Sequence, residues 1–242
     1  MEKSPRDYLA LALDNVSSLH ALSTLVLATA PSVGVFKIGL EQFTRFGPPV
    51  LDVVRDKKRK IFLDLKFHDI PNTVGKAVES ACALEVDYLT IHTLGGTPMM
   101  HAAKMAADDA RRKNGGKHIK IIGVTLLTSI DTNCLQKELS VTMNTSDYVC
   151  HLALHAVHAG LDGIVCSAAD LSAVKPLLPP DFEIITPGIR PAGIAAYDQK
   201  RTASPKEAIQ NGATLLVLGR AVTDAADPAK AAEAIVNEIS RI

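Results

Sequence analysis

Short, uninterrupted apolar runs rich in β-branched residues recur along the chain at 8–13, 33–38, 61–65, 88–92, 119–125, 163–166, 183–186 and 214–218. Runs that are continuously apolar, not alternating, belong to strands buried on both faces of a parallel sheet. Between them lie segments with helical periodicity, 17–30 after the first run, 73–83 after the third and 98–113 after the fourth, the last ended by Asn114-Gly115-Gly116. A helix over 146–159 stops at Gly160, and Ser204-Pro205 with Glu207 three residues after the serine spells a capping box with proline in the first turn. Eight units at about 30 residues each match the βαβ step. The pattern therefore predicts an α/β fold, a (β/α)8 TIM barrel, formed as a single domain over 1–242, since no Pro/Ser-rich linker divides the chain. A doubly wound open sheet is the alternative, but no run is followed by G-x-G-x-x-G or a Walker loop.

Composition narrows the class. The 242 residues carry 26 Lys+Arg against 26 Asp+Glu, with 47% hydrophobic and 21% charged positions, which excludes a disordered or fibrous chain and leaves no electrostatic footprint for nucleic acid. No apolar run approaches the roughly 20 residues of a membrane span, and residues 1–8 are charged and too short for a signal peptide, so a soluble, cytoplasmic protein is expected. Cys82, Cys134, Cys150 and Cys166 are widely spaced with no Cys-x-x-Cys pair, as in a reduced compartment. His151, His155 and His158 share a helix face without an accompanying carboxylate and read as a partly exposed face, not a metal site. The run Lys57-Lys58-Arg59-Lys60, balanced by Asp52 and Asp56, reads as a solvated turn at the bottom of the barrel. His92 ends the fourth run at the active face, where it could support the site from behind; a histidine there is more often hydrogen-bonded in the core, and it is left out of the site.

In a barrel of this kind, chemistry sits at the C-terminal ends of the strands. Here the first run ends in Asp14, the second in Lys37, and the third in Asp64-Leu65-Lys66 followed by Phe67-His68-Asp69. Period-two alternation puts Asp64 and Lys66 on one face and Leu63 and Leu65 on the other; the apolar pair must face the helices, which turns the charged pair to the barrel mouth. A single Asp-x-Lys could be an exposed pair on a fraying strand end. Three successive strands ending in opposed charges argue against that, because a buried pair does little for stability. The loops after the seventh and eighth runs carry Gly188-Ile189-Arg190 and Gly219-Arg220, a backbone-plus-guanidinium combination suited to phosphate.

The run Ile61-Phe62-Leu63-Asp64-Leu65-Lys66-Phe67-His68-Asp69-Ile70-Pro71-Asn72-Thr73 resembles the D-x-K-x-x-D and I-P-x-T signature of the orotidine 5′-phosphate decarboxylase family. The stretches 124–129, 187–191, 198–201 and 218–220 resemble its later segments in order and spacing, so that the resemblance covers residues 11–228. It implies cofactor-independent decarboxylation of orotidine 5′-monophosphate (OMP) to UMP in de novo pyrimidine biosynthesis, with no metal, by a homodimer with shared active sites. Lys66 would be the proton donor within an array of Lys37, Asp64 and Asp69, the last presented to the partner's site and holding Lys66 charged together with Asp64. Asp14 and Thr128 would hold the ribose and base regions, and Thr73 would cross the interface. Arg190, Gln199, Gly219 and Arg220 would bind the phosphate or close over it. Two alternatives remain: a Mg-dependent sugar-phosphate lyase of the same superfamily, of the hexulose-phosphate synthase or ketogulonate-phosphate decarboxylase type, and a non-catalytic phosphate-binding barrel.

Overall fold

A computed structural model describes residues 3–115, 117–190 and 203–242. Its eight strands are Leu9–Ala12 (β1), Val35–Gly39 (β2), Lys60–Phe67 (β3), Tyr88–His92 (β4), Lys120–Val124 (β5), Gly163–Val165 (β6), Glu183–Thr186 (β7) and Leu215–Leu218 (β8). Each pairs in parallel with the next, and β8 returns to β1, closing a barrel in strict chain order. Helices fill the connections, and the expected (β/α)8 architecture is what forms. All eight apolar runs became strands. They did so because a strand with both faces buried cannot carry polar residues on either one, which makes its sequence continuous and legible.

Two layers of core follow from the alternation. Outward-facing residues, among them Leu11, Phe36, Leu63, Leu89, Ile121 and Ile184, join the helices in one large apolar cluster. Inward-facing Ala10, Val35, Phe62, Tyr88, Ile122, Ile185 and Leu215 fill the barrel itself, with Phe62 and Tyr88 meeting edge to face at 5.8 Å between ring centroids. Two residues further along the same strands, the inward positions are Ala12, Lys37, Asp64 and Thr90, so the polar layer lies directly above the apolar plug.

Local chemistry sets the helix ends. Pro71 opens the helix Pro71–Cys82 two residues earlier than the periodicity suggests, since proline at the first position gives up a hydrogen bond that no helix makes there. Ser204 and Glu207 form the anticipated capping box on the helix Pro205–Gln210. The basic stretch 57–60 is a turn entering β3, with Lys58 at φ +54° and the Arg59 guanidinium donating to the Ala30 carbonyl at 2.8 Å. Tyr8, counted with the first strand from its pattern, instead ends a 3-10 turn, Pro5–Tyr8.

β3 is where the regular lattice fails. Its ladder with β4 pairs Leu63 with Leu89 and then Phe67 with Ile91, so four residue steps on β3 face two on β4. Lys66, within this bulge, has φ +48°, a left-handed conformation that costs a non-glycine residue on the order of 1 kcal/mol or more. Such strain persists only where the surroundings over-determine it.

No helix among the described residues is long and apolar enough to cross a membrane. The layered core predicts that Ile184→Ala, at a fully buried outward position, destabilises the protein by about 2–5 kcal/mol in urea unfolding. Leu27→Ala, at a residue 60% exposed on the helix Leu19–Thr29, should change stability by no more than about 0.5 kcal/mol.

Candidate active site

Asp14, Lys37, Asp64 and Lys66 converge at the C-terminal mouth. The Lys37 ammonium lies 3.2 Å from Asp14 and 3.6 Å from Asp64, while the Lys66 ammonium donates to Asp64 at 2.8 Å. Asp64 is thus the shared acceptor of two ammonium groups, and it and Lys37 are both buried. Burial by itself would push the Asp64 carboxyl up. The charge of Lys37, then that of Lys66, with hydrogen bonds from Lys66 and Thr90, outweigh burial and hold it below the ordinary carboxylate value.

The strand-end alternation does put Asp64 and Lys66 on the same side, but a regular strand is not how Lys66 reaches its place. The bulge and the positive φ of Lys66 turn the chain, and the Thr90 hydroxyl fills the gap between them. That hydroxyl accepts from the Lys66 backbone N–H at 2.9 Å and donates to Asp64 Oδ1 at 2.9 Å. Thr90 was not anticipated as a site residue; the available signal was a hydroxyl on the inward face of an otherwise apolar strand. Gly39 was missed as well. A Cβ there would lie 3.0 Å from the Lys37 ammonium and 3.1 Å from the Asp14 carboxylate, so glycine at the end of β2 leaves room for their ion pair.

Two adjoining pockets open around Lys37. One, about 180 Å³, has Lys66 and Asp64 at one side, apolar walls that include Phe62, Val124, Ile185 and Val217, and Thr128 at its rim. Cys166 also lines it; burial, with Asp170 and Cys150 nearby, pushes its thiol far up, so it is a neutral wall group and not a nucleophile. The other pocket, about 350 Å³, is polar and carries Asp14, Arg190, Gly219 and Arg220 together with Gly188. Gly188 has φ +80°, which glycine alone adopts without strain, and Arg190 is buried there with its backbone N–H bonded to the Ala203 carbonyl at 2.9 Å.

Asp69 and Thr73 are not brought to this site within the chain. Both are exposed, in the loop after β3 and the first turn of the following helix, and the Asp69 carboxylate accepts from the adjacent Ile70 N–H at 2.6 Å. Gln199 lies outside the described residues. The reading of His92 as a hydrogen-bonded core residue needs correcting: its Nδ1 is buried and makes no hydrogen bond to any described residue. Its ring lies 5.4 Å from that of His68. Burial, reinforced by His68 and Lys66 and opposed by Asp64, pushes it below the ordinary histidine value. On the helix Thr145–His158, His151 and His158 are exposed, while His155 is partly buried with its Nδ1 3.1 Å from the Thr97 hydroxyl.

A closed parallel barrel with opposed charges in its mouth and an arginine-bearing pocket beside them defines a (β/α)8-barrel enzyme. Residues 7–235 match the orotidine 5′-phosphate decarboxylase / HUMPS family. The chain is 44% identical over 242 residues to orotidine 5′-phosphate decarboxylase of Nitrosococcus oceani, covering all of both chains. It is 42% identical over 237 residues to that of Moorella thermoacetica, covering 98% of this chain and 94% of that one. Among solved structures, orotidine 5′-phosphate decarboxylase from Lactobacillus acidophilus superposes with a TM-score of 0.83 at 34% identity, over 96% of this chain and 98% of that one. The chain belongs to this family, and it is an enzyme of the carboxy-lyase class.

The electrostatics of Asp64 give a pH dependence. A carboxyl whose folded value is depressed contributes stability that is fully present above its unfolded value, about 3.9, and is lost as pH falls through the lower folded value. The stability difference between wild type and Asp64→Asn should therefore be constant above about pH 5 and shift in favour of the variant at more acid pH. Its plateau should lie below the ~3–5 kcal/mol of a broken fully buried pair, because Lys66 is partly exposed. Urea unfolding of both proteins across the acid range checks this, and a pH-independent difference would contradict it.

Proposed function

We propose that this enzyme removes CO2 from C6 of orotidine 5′-phosphate to give uridine 5′-phosphate, the decarboxylation step of de novo pyrimidine biosynthesis, in the cytoplasm, without a metal or coenzyme, and that residues 1–242 act as one catalytic domain. The observation that carries this reading is the Lys66 ammonium, fixed 2.8 Å from Asp64 at the wall of an apolar pocket. Across Lys37 lies a polar pocket with two arginines. A flat pyrimidine suits the first and a phosphate the second, with the ribose hydroxyls between them at Lys37 and Asp14.

Breaking the C6–carboxylate bond leaves the electron pair in an sp2 orbital at C6, where no π system can take it up. The rate enhancement required corresponds to something like 20 kcal/mol of transition-state stabilisation, and preorganised charge is the means this site offers. As CO2 departs, the Lys66 ammonium faces the developing carbanion and stabilises it. It then transfers one proton from Nζ to C6, and the amine is reprotonated from solvent. Asp64 keeps Lys66 in place and stands near the departing carboxylate, and Lys37 offsets the charge of Asp64 and Asp14. Arg190, Arg220 and the Gly219 backbone bind the phosphate, to which the resemblance also assigns Gln199, and Thr128 contacts the base. Phosphate binding remote from C6 supplies binding energy that orders the reacting end.

The family also holds enzymes acting on sugar phosphates. Thr128 at the rim of an apolar pocket favours a substrate with a base, for which a sugar phosphate has no counterpart. The resemblance further leads us to a homodimer in which Asp69 and Thr73 enter the partner's site. The exposure of both residues, and of Ile70 between them at 67%, supports this, since an apolar side chain beside a catalytic mouth is suited to cover by a second copy.

Lys66→Ala should lower OMP turnover, followed by ultraviolet absorbance, by on the order of 10⁴-fold or more, with UMP affinity reduced less than about tenfold. Wild-type turnover should be unchanged by EDTA, whereas a metal-dependent sugar-phosphate lyase would be silenced by it. Near-normal turnover of Lys66→Ala would refute the assigned role.

Mixing inactive Lys66→Ala with inactive Asp69→Ala subunits should restore part of the activity, because a heterodimer would hold one intact site. No recovery, despite subunit exchange followed by mass spectrometry, would place each site within a single chain.

A further inference from the structure

We propose that Thr90 is a positioning residue for decarboxylation, its single hydroxyl coupling the backbone turn at Lys66 to the orientation of the Asp64 carboxylate. The inference rests on the reading that this site decarboxylates OMP.

In the bulge between β3 and β4, Asp64, Leu65 and Lys66 all oppose Thr90. The lattice has no β4 carbonyl in register for the Lys66 N–H, and the hydroxyl of Thr90 takes its place as acceptor at 2.9 Å. The same oxygen donates its proton to Asp64 Oδ1 at 2.9 Å. Only a group that both donates and accepts can do this; a carbonyl cannot donate and an amide N–H cannot accept.

The two oxygens of Asp64 are thereby divided. Oδ1 belongs to Thr90, and Oδ2 receives Lys66 at 2.8 Å with Lys37 at 3.6 Å. With Oδ1 pinned, the carboxylate cannot rotate to share its charge differently between the two ammonium groups. Lys66 is held from both ends, its backbone at φ +48° by the hydroxyl and its Nζ by the carboxylate that the same hydroxyl fixes. Thr90 is fully buried, 0% exposed, and lines neither pocket, so it acts through Asp64 and Lys66 and not on the substrate.

The test compares Thr90→Val, which keeps the shape and removes the hydroxyl, with Thr90→Ser, which keeps the hydroxyl. Thr90→Val should lower kcat for OMP by about 100-fold, the cost of a small misplacement of reacting groups. KM and the Kd for UMP should stay within about threefold, because the binding pockets are untouched. Thr90→Ser should recover kcat to within about fivefold of wild type. If Thr90→Val does not fold, Thr90→Cys replaces it, its thiol being a weak hydrogen-bonding group of similar size. The inference is overturned by a folded Thr90→Val or Thr90→Cys with near-wild-type kcat, by UMP affinity falling in step with kcat, or by Thr90→Ser being as impaired as Thr90→Val. Wild-type turnover is the control: its absence refutes the substrate assignment and this inference with it, whereas unchanged kcat in the variant beside an active wild type refutes this inference alone.

Discussion

A buried carboxylate shared by two ammonium groups is the constraint around which the mouth of this barrel is organised. Asp64 would be unfavourable at its depth without Lys37 and Lys66, and the buried Lys37 would be unfavourable there without its carboxylate partners. The cluster satisfies itself, yet it contributes little to folding that a set of well-packed apolar side chains would not. Such a cluster is better suited to chemistry than to folding. A charge network that is fixed before the substrate arrives needs no reorganisation during the reaction, which is where preorganised electrostatics outperforms water.

The fold bears the cost of this network in identifiable places. The β3–β4 ladder loses its register, Lys66 adopts a left-handed backbone, and glycine at position 39 gives up side-chain packing so that Lys37 and Asp14 can meet. Beneath them the plug of Phe62, Tyr88, Ile122 and Leu215 is apolar and buried. The contrast between strained rim and apolar plug is one of layers: of residues one inward step apart on the same strand, Val35 and Phe62 pack in the plug while Lys37 and Asp64 pair their charges at the rim.

The pockets divide the recognition problem along the same lines. Apolar walls beside Lys66 exclude water and strengthen the charges that face them. The polar pocket places arginines and the glycines 188 and 219 where an anion can meet guanidinium and backbone N–H together. Lys37 borders both, so the two pockets share one continuous lining.

The sequence by itself determined the barrel, because eight strands buried on both faces leave eight unbroken apolar runs. It also determined the rim residues Asp14, Lys37 and Asp64, because charges at the ends of such runs have few other uses. Lys66 was legible as a member of the motif, though not the manner in which it arrives, since period-two reasoning assumes a regular ladder and contains no bulge. Thr90 and Gly39 became visible only in three dimensions: a hydroxyl in an apolar run and a glycine at a strand end are common, and their meaning lies in what a neighbouring strand, 24 or more residues away in the case of Thr90, sets against them. His92 was misread for the same reason, a lone histidine carrying no sign of whether its ring nitrogens find partners. Periodicity records which face a residue occupies; only packing between strands fixes what it meets there.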